Sequence, residues 1–183
     1  MRELRIAVII ASTRQGRFGP TVAGWFAEQA RKHFQVDLID LAQAGLPAVL
    51  QDDEPAEVAA LGSRLAAADG FVIVTPEYNH SFPAPLKTAL DWYFEEWHAK
   101  PVSFVAYGRE SGGLMAVAQL RQICIELRAV PIREIVALPN YWELFTAEGA
   151  WPRPYAVCDE AVKTMLDRLG WWAQILRNGR TVS

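Results

Sequence analysis

The sequence predicts an α/β fold in which a five-stranded parallel sheet carries helices on both faces. Three observations predict it. Short, uninterrupted apolar runs recur along the chain, amphipathic stretches with helical spacing separate them, and no repeat, linker or low-complexity tract breaks the alternation. Uninterrupted apolar runs are the mark of strands buried on both faces. Strands that alternate with helices are joined by right-handed crossovers into a parallel sheet.

The elements follow in order. Arg5 to Ala11 (RIAVIIA) reads as a fully buried first strand. A helix over Thr21 to Lys32 follows Pro20, a favoured first-turn residue, and puts Val22, Phe26 and Ala30 on one face. Val36 to Ile39 is a shorter strand nearer an edge. Phe71 to Thr75 and Val102 to Tyr107 are fully buried strands, with a helix over Pro85 to Trp97 between them. Leu114, Val117, Leu120, Cys124 and Leu127 step by three and four, which marks one buried helix face. Ile132 to Leu138 alternates as the fifth strand. Pro154 to Arg177 is the last helix, with Val157, Ala161, Met165, Leu169 and Trp172 at helical spacing. For five strands of this size the expected order is 2-1-3-4-5, a flavodoxin-like three-layer sandwich formed by residues 1–183 as a single domain.

Composition excludes several classes of function. The chain has 183 residues, 51% of them hydrophobic, enough to bury a core without disulfides or metals. A net charge of −3 argues against nucleic acid and anionic membranes as partners. The two cysteines, Cys124 and Cys158, are read as buried core and as inert, and no zinc-ligand spacing is present, so no metal is expected. No apolar run approaches the ~20 residues of a membrane span. The first residues lead straight into a strand with no cleavage-site signature, so a cytoplasmic location is expected.

In parallel sheets of this kind, ligands sit beyond the carboxyl ends of the strands. The loops after strands one, three and four are the three unusual loops of this sequence. The first reads Ser12-Thr13-Arg14-Gln15-Gly16-Arg17-Phe18-Gly19-Pro20. Hydroxyls, arginine forks and a helix N-terminus suit a phosphate, and the glycines allow a tight turn. The loop matches neither G-x-G-x-x-G nor the triphosphate loop G-x-x-x-x-G-K-[ST], so a terminal monophosphate fits best. An ordinary solvated surface loop is the competing reading.

The second loop, Thr75 to Pro85, is stiffened by three prolines and carries Tyr78 and Phe82, a wall for a flat aromatic ligand. Asn79 can donate and accept at a ring edge. Glu77 has a rival reading as a catalytic carboxylate, but no second carboxylate lies in its loop to complete an acid/base pair. His80 has a rival reading as a general base, though a loop histidine is more often simply solvated. Lys87 reads as a solvent-facing helix residue. The third loop runs Tyr107-Gly108-Arg109-Glu110-Ser111-Gly112-Gly113 into a helix. Its exposed N–H groups suit developing negative charge. A tight turn with Ser111 as N-cap explains it equally well.

Three stretches resemble the NADPH-dependent FMN reductases. The first is Ser12-Thr13-Arg14, Gly16-Arg17 and Gly19 with Val22-Ala23 and Trp25. The second is Thr75 to Ser81 with Pro85-Leu86-Lys87 and Ala89-Leu90-Asp91-Trp92. The third is Tyr107-Gly108 with Ser111-Gly112-Gly113. They span about the first two-thirds of the chain in the family's order, and the second is the most specific. The resemblance implies that Ser12, Arg14 and Arg17 bind the FMN phosphate, with Phe18 and Gly19 shaping that loop. It implies that Pro76, Glu77, Tyr78 and Asn79 lie along the isoalloxazine ring, and that Gly108, Ser111, Gly112 and Gly113 complete the ring site. It also implies NADPH or NADH as electron donor, a flavin, quinone, azo dye or metal oxyanion as acceptor, and a homodimer or dimer of dimers. Ala11 stands where the family often has glycine, and Asn140 to Pro154, with Tyr141, Trp142 and Trp151, has no counterpart in the family pattern.

Electron transfer of this kind needs proximity and stacking more than an acid or base, so no catalytic residue is named. In the aromatic cluster Trp92, Tyr93, Phe94 and Trp97, all four side chains do not fit one core, and Tyr93 and Trp97 are expected at a subunit interface. The rival functions are a flavodoxin-type electron carrier, a flavin-based redox sensor, and a hydrolase or transferase built on Glu77.

Overall fold

The computed structural model describes residues 3–146 and 156–180. Strands β1 (Arg5–Ile10), β2 (Gln35–Asp40), β3 (Gly70–Pro76) and β4 (Pro101–Gly108) are parallel and lie in the order β2-β1-β3-β4. Helices α1 (Gly19–Ala30), α2 (Ala56–Ala67), α3 (Ala84–Asp91), α4 (Leu114–Glu126) and α5 (Ala156–Arg180) cover the two faces. The predicted strand order is therefore the observed one. Beyond β4 the sheet ends in two short pieces, β5 (Val130–Pro131) and β6 (Val136–Pro139), both paired with β4.

This split is where the predicted fifth strand, Ile132 to Leu138, differs. From Val102 to Val105 β4 advances three positions, while its neighbour advances five, from Pro131 to Val136. The two extra residues bulge out of the ladder. Side chains satisfy the bulge. The Ser103 hydroxyl donates to the Glu134 carbonyl at 2.8 Å, and Arg121 donates to the Arg133 carbonyl at 3.0 Å.

Alternation along the strands divides the core in two. Ile6, Val8 and Ile10 face α1 and α5 with Val22, Phe26, Ala30, Met165 and Leu169. Ala7, Ile9 and Ala11 face α2, α3 and α4 with Leu61, Leu65, Leu86, Val117 and Leu120. Each large side chain buried this way contributes roughly 1.5–3 kcal/mol.

Two local expectations are corrected. The predicted helix over Pro85 to Trp97 ends at Asp91, and a single 3-10 turn spans Glu95–Trp97. That break turns Tyr93 and Trp97 inward, not to an interface. Tyr93 is buried and donates its hydroxyl to the Val58 carbonyl at 2.9 Å, and Trp97 packs on Phe71 at 4.5 Å between ring centroids. Phe94 is the exposed member of the cluster. On α4, Val117, Leu120 and Cys124 are buried as expected, but Leu114 is exposed, because the first turn overhangs the sheet end. Cys158, like Cys124, is buried and unpaired, and burial raises both thiols to about 12. The start of the last helix at Pro154, the Val157 side chain and Trp151 lie outside the described residues. No described helix is long and apolar enough to cross a membrane.

Candidate functional site

The carboxyl ends of β1, β3 and β4 lie side by side, and each opens into one of the three unusual loops. After β1, Ser12 is fully buried. Its hydroxyl accepts a hydrogen bond from the Tyr107 phenol at 3.3 Å, and burial pushes that phenol well above its usual range. Gly19 opens α1 directly against this pair. A Cβ there would overlap the Ser12 hydroxyl and stand 2.9 Å from Ile10 Cγ2. Gly16 is different. It turns the loop with φ +65° and has open space around it. Phe18 anchors the loop from behind, 4.9 Å from the Tyr141 ring and 5.3 Å from that of Phe145. The part of the aromatic segment after Pro139 that is described, up to residue 146, therefore packs behind the loop.

The two arginines of this loop have different surroundings. Arg17 forms a fork with Asp40 at the end of β2, at 2.5 and 2.7 Å, and donates to the Ser12 carbonyl at 2.7 Å. Arg14 is exposed, lies over the Tyr78 ring at 5.5 Å, and has no carboxylate partner among the described residues. Among the described residues, no acceptor engages the N–H groups of Thr13, Arg14, Gln15 or Gly16.

After β3 the chain forms a two-residue hairpin. Tyr78 and Ser81 exchange backbone hydrogen bonds at 2.8 and 2.9 Å, and Asn79 and His80 occupy the turn with φ +50° and +64°. Tight hairpins need this left-handed pair; Asn and His tolerate it better than most residues. Gln119 of α4 holds the turn from the side. Its amide donates to the His80 carbonyl at 2.8 Å, and its carbonyl accepts from the Ser81 hydroxyl at 2.7 Å.

Glu77 joins the second loop to the third. Its carboxylate accepts from the Ser111 hydroxyl at 2.8 Å and from the Met115 N–H at 3.0 Å. A carboxylate at a helix N-terminus meets the positive end of the dipole. Ser111 is not the N-cap of α4. Gly113 holds that place with φ +91°, and Ser111 accepts the Gly113 N–H at 3.3 Å. A Cβ on Gly113 would lie 2.6 Å from Ala106 Cβ, so only glycine lets the loop fold back on β4.

The three loops enclose an open cavity of about 820 Å3, lined by Arg14, Glu77, Tyr78, Asn79, His80, Arg109, Glu110, Ser111 and Met115. Against this geometry the comparisons are specific. Residues 4–143 match the model of the family described as NADPH-dependent FMN reductase.

The chain belongs to the NADPH-dependent FMN reductase family.

It is 38% identical over 149 residues to an NAD(P)H-dependent FMN reductase of Schizosaccharomyces pombe, covering 74% of each chain. It is 37% identical over 136 residues to a 2-hydroxy-1,4-benzoquinone reductase of Burkholderia sp, covering 69% of this chain and 73% of that one. The fold is similar to that of a flavoenzyme NAD(P)H:(acceptor) oxidoreductase from Paracoccus denitrificans, with a TM-score of 0.75 and 22% identity over 93% of this chain and 97% of that one. Members of this reductase family are oxidoreductases that use FMN with a reduced nicotinamide cofactor. Residues 140–143 fall within the stretch the family shares, contrary to the expectation that Asn140 to Pro154 has no counterpart there.

In this family member the structure brings five of the sequence-predicted residues to one cavity: Arg14, Glu77, Tyr78, Asn79 and Ser111. Pro76, Gly108, Gly112 and Gly113 are buried beneath it, shaping the backbone. Ser12, Arg17, Phe18 and Gly19 form the neighbouring loop and do not line the cavity. Sequence reasoning missed Arg109, Glu110 and Met115 as lining residues, and Asp40 and Gln119 as supports. Arg109 and Glu110 lie inside the third loop, so position alone marks them. Asp40 carries no comparable signal, because it ends an edge strand on a different loop.

Proposed function

We propose that this chain is an FMN-dependent reductase that takes electrons from NADPH or NADH and passes them to a quinone or a flavin. The observation that carries this reading is one cavity shared by Arg14, which has no carboxylate partner among the described residues, and two loops that present a wall to it. The residues present fit FMN. The N–H groups of Thr13 to Gly16, without an acceptor among the described residues, and the exposed Arg14 suit a phosphate monoester, and a cavity of about 820 Å3 with mixed apolar and polar walls suits a tricyclic ring.

When bound, the FMN supplies the redox chemistry. Ser12, Arg14, Arg17, Phe18 and Gly19 build the phosphate end. The Tyr78–Ser81 hairpin, braced by buried Pro76, would hold one side of the ring, and Asn79 would offer it a donor and an acceptor. Glu77 ties that wall to the Gly108–Gly113 loop, whose Ser111 would hold the other side above the buried Gly112 and Gly113. None of these groups needs to transfer a proton for electrons to pass; their work is to hold the ring and leave one face open. The 37% identical benzoquinone reductase favours a quinone acceptor. Azo dyes and metal oxyanions extend the same proposal.

We also propose a homodimer, or a dimer of dimers, through α4. Its outward face carries Leu114, Met115, Ala118 and Ile125 with Gln119 and Gln122 among them, a largely apolar strip that begins at the cavity and is bordered by half-buried Arg121 and exposed Glu126. A symmetric pair would bury that strip and wall the cavity mouth. Ile125→Glu is expected to give a monomer by sedimentation. All 183 residues act as one domain in this reading, in the reducing cytoplasm that two buried free thiols suit.

The test is the visible spectrum of the purified protein after FMN is added and excess removed, followed by anaerobic NADPH. Retained flavin bands that bleach within seconds are expected. Bands that persist identify an electron carrier or sensor, and no retained flavin overturns the proposal.

A further inference from the structure

Two arginines belong to the phosphate loop, and they differ in how far protein groups already hold them: three of the five Arg17 N–H donors are engaged, while Arg14 has no carboxylate partner among the described residues. Both terminal nitrogens of Arg17 are engaged by both oxygens of Asp40, at 2.5 and 2.7 Å. The nitrogen at 2.5 Å also donates to the Ser12 carbonyl at 2.7 Å, so both of its hydrogens are used. Asp40 in turn accepts the Ala42 N–H at 3.0 Å, which fixes it at the turn after β2. The side chains are 16% and 13% exposed, so solvent screens the pair only partly. Closing on the carboxylate takes the end-on fork and leaves Arg17 only its Nε–H and one Nη2 hydrogen, and the pair is electrically neutral toward a second anion.

We infer that Asp40 is a positioning residue for the phosphate end of the flavin site. Acting through Arg17, it locks the Ser12–Arg17 loop in the shape that presents the loop N–H groups and Arg14 to a phosphate monoester. The chain of contacts runs from Asp40 to Arg17, to the Ser12 backbone, and through the Ser12 hydroxyl to Tyr107. It links strands β2, β1 and β4 across the end of the sheet. Hydrogen bonding to Arg17 holds the Asp40 carboxyl below the usual carboxylate range, and the same bond raises the guanidinium, so the lock stays closed at neutral pH. Arg14 supplies the net positive charge, and Arg17 supplies shape.

The inference rests on the FMN reading above, and the test separates the two. FMN and riboflavin are titrated into apo-protein by flavin fluorescence, for the parent and for Asp40→Asn, Arg17→Lys, Arg17→Ala and Arg14→Ala. Asp40→Asn keeps the size of the side chain and removes its charge. It is expected to weaken FMN by about tenfold, the scale of one lost charged hydrogen bond. Arg17→Lys, which keeps the charge and loses the fork, is expected to weaken FMN as much as Arg17→Ala does. Riboflavin affinity stays at the parental value in all of them. Apo-protein melting stays parental in Arg14→Ala and falls modestly in Asp40→Asn and Arg17→Ala, which leave a partly buried charge unpaired, and in Arg17→Lys, which loses the fork. The salt dependence of FMN affinity is retained in Arg17→Lys, which keeps the pair neutral, and reduced in Arg14→Ala. Tighter or unchanged FMN binding by Asp40→Asn overturns the inference, since freeing an arginine that contacted phosphate directly would raise affinity. Equal loss of FMN and riboflavin with a lowered melting point also overturns it, in favour of a purely structural pair. A parent protein that takes up neither flavin overturns the FMN reading itself, and this inference with it.

Discussion

The two ends of the sheet contrast sharply. At the end where the strands begin, charges are buried and mutually engaged. Asp69 is 3% exposed, accepts the Arg5 N–H at 2.9 Å, and faces Arg177 at 3.4 Å and Arg180 at 3.7 Å. Lys100, 5% exposed, donates to the Leu65 and Ala66 carbonyls at 2.9 Å each. At the end where the strands finish, the chain leaves polar groups open. Left-handed φ occurs at both ends, at Asn79, His80 and Asn140 here and at Ala99 and Arg128 there, but here Arg14 stands without a carboxylate and the Thr13 to Gly16 N–H groups without an acceptor among the described residues. The first end fastens α5 to the sheet. The second holds donors ready for a ligand that the protein itself does not provide. Stability and function are thus written at opposite ends of the same strands.

The contrast makes variants at the two ends behave in opposite ways. The largest effect is expected from Asp69→Ala, which strands Arg177 and Arg180 without their shared carboxylate and the Arg5 N–H without its acceptor. It should cost about 3 kcal/mol in denaturant unfolding. The FMN affinity of the folded fraction should not change, and a parallel loss of affinity would break the contrast. Arg14→Ala should do the reverse, lowering FMN affinity by about ten- to a hundredfold with little change in unfolding.

Lys100 gives a pH test of the same end. Burial lowers its pKa from 10.5 to about 8 in the folded state. Between those values the unfolded chain binds more protons than the folded one, so unfolding free energy should rise as pH climbs from about 8 toward 10.5. Below about 8 the penalty for burying the charge is fully present. Lys100→Met should flatten that rise in pH-dependent denaturation; an unchanged slope would show that another group carries it.

The smallest effect is expected from Gln119→Ala, which frees the side of the Tyr78–Ser81 hairpin. Loss of two partly exposed hydrogen bonds should weaken FMN severalfold, at about 1 kcal/mol. The parental melting temperature should be retained. A loss of melting temperature without loss of FMN would assign Gln119 to the fold instead of the site.

What the sequence determined by itself was periodic and local. Runs such as RIAVIIA and FVIVT announced buried parallel strands, and alternation with helices fixed the strand order, because right-handed crossovers leave few arrangements. The three loops were legible because each concentrates its signal in about ten consecutive residues. Only the tertiary structure decided the pairings. Arg17 and Asp40 are 23 residues apart, Ser111 and Glu77 34 apart, and Gln119 and Ser81 38 apart. The inward turn of Tyr93 and Trp97 depended on where α3 stopped, and the bulge in the last strand on carbonyls that Ser103 and Arg121 could reach. Periodicity reports which face of an element is buried. It carries no information on which loop a crossover brings alongside, and so Arg14 and Arg17, alike in sequence, were told apart only when the end of β2 delivered a carboxylate to one of them.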